Sequence, residues 1–134
     1  MFTQSALTRG YRVLVGTPTS DSKLYCQDDF ISNIKAFSYP HDCLIVDNSS
    51  ERKNHKRIMK DGINSIHIKP NNKPVYAVLA ESHEALRQYA IRNDYDYLLH
   101  LESDVFPPSD VIQRLMIHDL PIVSAMYMID FGKD

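Results

Sequence analysis

Short apolar runs alternate with amphipathic stretches along almost the whole chain, and this alternation constrains its fold more than any other feature. YRVLVGTPT (Tyr11–Thr19) is an apolar run closed by Gly16 and Pro18, which reads as a buried strand. Thr19, Ser20, Asp21 and Ser22 offer N-caps, and Cys26, Phe30, Ile34 and Phe37 then recur at helical spacing, predicting a helix over roughly 22–38. CLIVDNSS (Cys43–Ser50) reads as a second strand, and the charged segment ERKNHKRIMKDG as a short helix ended by Gly62. NSIHIKP (Asn64–Pro70) alternates as a third strand, and an apolar face from Val78 to Ala90 predicts a helix over roughly 76–93. YDYLLHLESDV is the expected fourth strand. Pro108 and Ser109 open a helix, and PIVSAMYMI from Pro121 is the expected fifth strand.

The resulting βαβαβαβαβ order predicts an α/β fold: a doubly wound, mostly parallel, Rossmann-like sheet with helices on both faces, hence three layers. With 134 residues and no linker or repeat, one domain over residues 1–134 is expected. Charged residues make up 24% of the chain and the formal net charge is −2, which argues against a general nucleic-acid or membrane-surface binder. Cys26 and Cys43 fall in a helix and a strand pattern and read as buried free thiols. The N-terminus shows no signal-peptide pattern and no run is long enough to span a bilayer. A cytoplasmic protein, free or at the cytoplasmic face of a membrane and not secreted, is expected.

Ligands of such sheets bind outside the carboxyl ends of the strands. Those ends carry Thr17, Pro18 and Thr19; Asp47, Asn48 and Ser49; Asn71, Asn72 and Lys73; Glu102 and Asp104; and Tyr127 and Asp130. Glu102 and Asp104 stand two apart, so on a continuing strand both face the same way. Two such carboxylates repel unless a cation sits between them. Mg2+ or Mn2+ suits this donor set, held by one or two carboxylates plus substrate phosphates. The competing reading is local: Asp104 or Ser109 caps the following helix while Glu102 is solvated. Asp47 reaches the same edge independently, which favours the metal.

Other chemistries lack their motifs. There is no GxGxxG after the first strand, no GxxxxGK[ST], and no Gly-x-Ser-x-Gly elbow. The six histidines show no metal-ligand spacing, and His100 reads as a satisfied core histidine.

RVLVGTPT, CLIVDNSS and YDYLLHLESDV, followed by a helix and PIVSAMY, resemble the nucleotide-sugar-binding half of a GT-A glycosyltransferase, closest to the large family 2 group and its relatives. The resemblance covers roughly residues 11–130. It implies that Glu102-Ser103-Asp104 stands for the family's DxD motif, with a longer side chain at the first acidic place. Asp104 would then coordinate Mn2+ or Mg2+ on the diphosphate, with Glu102 assisting or contacting the ribose. Asp47 or Asn48 would hydrogen-bond the base or ribose, and Thr17, Pro18 and Thr19 would line the base pocket. The helix beginning near Tyr76 would lie close to the diphosphate. The implied donor is a UDP- or GDP-linked sugar, and the acceptor a glycan, lipid or protein.

Inverting members need a general base beyond the DxD motif. Of Asp110, Asp119, Asp130 and Asp134, Asp130 follows the fifth strand on the correct edge and is the candidate. Thirty residues follow Asp104, so the acceptor-binding half is expected to be minimal or missing. A non-enzymatic nucleotide-binding or interaction module on the same fold is the second expectation. A third is an α/β phosphotransfer enzyme, for which no aspartyl nucleophile can be placed. An exposed last strand would favour a homodimer.

Overall fold

A computed structural model describes residues 10–126. Strand β1 spans Val13–Thr19 and is buried along its whole length. A 3-10 turn over Asp21–Lys23 leads into helix α1, Leu24–Lys35. Strand β2 (Asp42–Asp47), helix α2 (Lys53–Lys60) and strand β3 (Asn64–His67) follow. Helix α3 is the longest, Val75–Arg92, and precedes strand β4, Tyr97–His100, and a short helix α4, Val111–Met116.

The four strands form one open sheet in the order β3-β2-β1-β4, with every pairing parallel. A parallel neighbour requires a crossover, which is why each strand is followed by a helix rather than a hairpin. The chain steps outward from β1 to β3 and then returns past β1 to β4. Thr19, Asp47 and His67 share the last rung of β1, β2 and β3, whereas β4 ends three residues lower, with His100 opposite Gly16. This staggered rim, at the place where the strand order reverses, frames a crevice at the carboxyl ends of the strands.

The period-two alternation of the strands divides the core. Val13, Val15 and Ile45 join Phe30, Ile31 and Ile34 of α1, Ile58 of α2 and Ile112 of α4 in one apolar cluster. Leu14, Leu44 and Val46 join Leu86 and Ala90 of α3 in another. On α3 the buried positions are Val78, Ser82, Leu86 and Ala90, a spacing of four that makes one narrow stripe. Leu86 is fully buried, and its contact with the sheet depends on Gly16. A Cβ at Gly16 would lie 2.9 Å from Leu86 Cδ2 and 3.0 Å from Leu98 Cδ1, closer than packed carbons approach. Gly62 closes α2 at φ +84°, a conformation open to glycine at no steric cost.

Three expectations require correction. Strand β4 stops at His100 instead of running on to Val105. Its last link is the Leu101 amide to the Gly16 carbonyl, 3.0 Å, after which the Val105 amide turns back to the Glu102 carbonyl at 3.2 Å. Residues 121–126 form no strand, and Ile122 and Met126 are exposed. An apolar run signals a tendency to be buried, not the presence of a ladder partner. The rest of that expected strand lies outside the described residues. Finally, His100 is not a core histidine but an exposed residue at the strand's end.

Candidate functional site

A cavity of about 480 Å³ opens at the carboxyl ends of the strands. Its walls come from the end of β1 (Pro18, Thr19), the loop after β2 (Asn48, Ser49), the first turns of α3 (Val75, Val78) and the turn after β4 (Glu102, Ser103). A smaller cavity of about 360 Å³ lies at the opposite end of the sheet, beside Lys35, His41 and Asn64, and gathers no carboxylate but Asp42.

Of the two expected acids, Glu102 lines the cavity and Asp104 lies just outside its wall, while Asp21 of the 3-10 turn also lines it. Glu102 and Asp104 sit on a turn, not on a strand. Glu102 and Asp104 are exposed and Ser103 is buried between them. The turn and the segment behind it are held against α1. Cys26 Sγ donates to the Ser103 carbonyl at 3.5 Å, Asn33 Nδ2 to the Pro107 carbonyl at 3.1 Å, and Phe30 and Phe106 meet edge to face. Asp104 accepts from Lys23 Nζ at 2.7 Å, and this carboxylate holds the Lys23 ammonium above its ordinary range. The capping alternative is not realised. Helix α4 begins after Asp110 without a side-chain cap, and its first amide bonds the Pro108 carbonyl.

Asp47 has a different environment from its neighbour. It is fully buried, and both of its oxygens are engaged. Oδ1 accepts from Ser49 Oγ at 2.7 Å and Asn54 Nδ2 at 3.1 Å, and Oδ2 from His67 Nδ1 at 3.0 Å. Asn54 in turn exchanges two amide hydrogen bonds with Gln27 of α1, and Ser49 Oγ accepts the Asp21 amide. A single carboxylate thereby ties β2, β3, α2 and the turn after β1 together; burying a charge on these terms is tolerated because it is fully bonded. Asn48 instead lines the cavity, its amide bonded to the Thr19 carbonyl and its Nδ2 to Ser82 Oγ on α3.

Pro18 and Thr19 line the cavity, while Thr17 lies deeper in β1 and is not part of the wall. The hydroxyls of Thr17 and Thr19 are buried with no protein partner. Asp130 and Tyr127 lie outside the described residues. Lys73, expected at this edge, lines the cavity. Three participants were not singled out from the sequence: Lys23 lines the cavity, and Asn54 and His67 bind Asp47. Lys23 stands in the loop directly after a strand, a position that alone could have drawn attention to it. Asn54 and His67 carry no local signal.

Burial pushes the Cys43 thiol up to about 11, so it is protonated at neutral pH and is no nucleophile. Burial also lowers His55, whose Nδ1 lies 2.9 Å from Ser65 Oγ. Among the described residues no group of three or more His, Cys, Asp or Glu is placed to hold a metal ion. Glu102 offers a hard oxygen donor in the cavity wall, and Asp104, outside the wall on the same turn, already attracts a cation in the form of Lys23, which does line it. That donor set fits a hard divalent ion whose remaining ligands come from a bound phosphate.

No protein-family model matches the chain, and neither does any curated protein.

Proposed function

We propose that this crevice binds a UDP- or GDP-linked sugar with Mn2+ or Mg2+, on a three-layer fold of GT-A type, and that the chain transfers the sugar to an acceptor hydroxyl of a glycan, lipid or protein. The observation that carries this reading is the acidic turn beside the staggered rim of β1 and β4, over a cavity that also meets the start of α3. Asp104, assisted by Glu102, would hold the cation, which when bound offsets charge on the departing diphosphate. Asn48, Pro18 and Thr19 would contact base and ribose, and Asp47 would fix the loop that presents Asn48. The first turn of α3 carries no acidic residue, so its amides and positive dipole end are suited to the diphosphate. Asp130 remains the candidate base. Two free cysteines suit a reducing, cytoplasmic setting, and among the described residues no helix is long and apolar enough to cross a membrane.

Calorimetric titration with UDP- and GDP-sugars, with and without Mn2+, tests the reading. Metal-dependent binding followed by sugar release or transfer supports it, and absence of binding to every nucleotide sugar rejects it. Binding with no turnover would favour the second reading, a non-catalytic nucleotide-binding module. One observation points that way: Asp110, a described carboxylate beyond the acidic turn, is paired with Arg114.

Lys23 supplies a separate prediction. Its exposed pair with Asp104 is worth about 0–1 kcal/mol. Lys23→Ala should therefore leave urea stability within about 1 kcal/mol. It should also strengthen Mn2+ binding to the nucleotide-free chain by roughly two- to fivefold, because the ion no longer competes with an ammonium for the carboxylate. Weaker Mn2+ binding in this variant, read by electron paramagnetic resonance of the free ion, would place the cation elsewhere.

A further inference from the structure

Two imidazoles meet outside the crevice residues named so far. His83 lies on α3, half-buried, and His100 is the exposed last residue of β4. Their Nδ1 atoms share a hydrogen bond of 3.1 Å, one ring donating and the other accepting, and their ring centroids are 5.0 Å apart with the planes inclined by 60°. The pair His55 and His67, at the other edge of the sheet, is different: the ring centroids are 6.0 Å apart, and the Nδ1 atoms are directed to Ser65 and Asp47. His41 has both nitrogens against backbone carbonyls.

We propose that His83 and His100 form a two-imidazole site for a borderline divalent transition cation, of the Zn2+, Ni2+ or Cu2+ class. Neutral imidazole nitrogens are ligands of choice for such ions, and Nδ1 serves as well as Nε2. Two nitrogens each about 2.1 Å from one ion, at angles from square to tetrahedral, stand about 3.0–3.4 Å apart. The observed separation falls in that interval, and an ion entering there replaces the proton of the Nδ1–Nδ1 hydrogen bond. The exposure of His100 leaves the remaining coordination positions open to water.

The scaffold explains why the two rings meet. His100 shares a rung with Gly16, and Leu86, one turn beyond His83, packs where a Gly16 side chain would stand. The missing Cβ lets α3 close onto the sheet at the level of His100. Both ligands thus sit on regular elements, which favours a fixed geometry over a chance encounter of loop side chains. The site also differs in kind from the acidic turn. Nitrogen donors here select borderline ions, whereas Glu102 and Asp104 select hard ones. The two therefore stand or fall separately.

The test is calorimetric titration of ZnCl2 into the untagged chain, with Cu2+ paramagnetic resonance counting nitrogen ligands. One equivalent of Zn2+ should bind, with affinity reduced roughly tenfold or more in His83→Gln and in His100→Gln, and unchanged in His118→Gln. The Cu2+ spectrum should report two nitrogens in the parent chain and one in either variant. Unchanged Zn2+ affinity in the double variant, or no Zn2+ binding by the parent, overturns the proposal. Should a variant fail to fold by circular dichroism, Zn2+ protection of His83 and His100 from diethyl pyrocarbonate in the parent decides. Protection of both supports the site and protection of neither overturns it.

Discussion

Asp104→Ala is expected to lower Mn2+-dependent binding of nucleotide sugar by roughly 100-fold or more, while the thermal midpoint stays nearly unchanged. The size follows from its proposed role. Removal of a partner that merely orients a metal ligand costs about 10- to 100-fold, and loss of the ligand itself costs at least as much. The small effect on stability follows from its surroundings. The carboxylate is exposed, and its recorded partner is the ammonium of Lys23, an exposed pair of little energetic value. Calorimetry with the nucleotide sugar and Mn2+, paired with a melting curve, separates the two readouts. If binding survives in Asp104→Ala, the acidic turn does not hold the cation and the proposed function loses its main support. Glu102→Gln is the milder companion, since Glu102 is assigned only an assisting place.

Asp47→Ala should produce the opposite pattern, a loss of stability on the order of 3–5 kcal/mol. Three donors, from Ser49, Asn54 and His67, would lose their acceptor in a site with no solvent access at Asp47. Each buried donor left without a partner costs about 1–3 kcal/mol. Asp47→Asn should cost less, because its carbonyl oxygen retains two of the three bonds. Urea unfolding of both variants provides the measurement. A loss below about 1 kcal/mol for Asp47→Ala would show that the carboxylate does not organise the rim. The prediction also bears on function: weakened nucleotide binding in an Asp47 variant would reflect a collapsed loop unless stability is measured beside it.

The sequence was most legible where periodicity and composition act alone. Runs such as Val13–Val15 and Leu44–Val46 are apolar because both sides of the strand are buried, and their helical spacers leave a parallel sheet as the natural arrangement. Periodicity shows that a strand is buried, not which strand lies beside it. The order β3-β2-β1-β4 was therefore not readable. Boundaries misled for the same reason. Leu101 is buried and apolar, yet β4 has already ended, since ladder bonding depends on partner geometry rather than on hydropathy. At the site, the gathering of Glu102, Asp104, Asn48 and Thr19 at one edge was visible because parallel strands all point the same way. The division of labour between Asp47 and Asn48 was not. It depends on Asn54 and His67, brought to Asp47 only by the fold. Lys23 was hidden likewise, because nothing local relates it to an acid on a turn so distant in sequence.

The central place of β1 has a consequence for how the chain reaches this structure. Val13 pairs with Tyr97 and Leu14 with Asp42, so no rung of the sheet can form from a local hairpin. Each pairing closes a long loop before it returns any bonding, which makes assembly slow compared with that of a helical bundle. During synthesis β1 emerges before both of its neighbours, gains one with β2, and waits for β4 before its second side is covered. Through that interval an apolar strand presents an unpaired edge, the kind of surface on which chaperones and aggregation compete. Of the two inner strands, the one that anchors the finished rim is thus the one left longer incomplete.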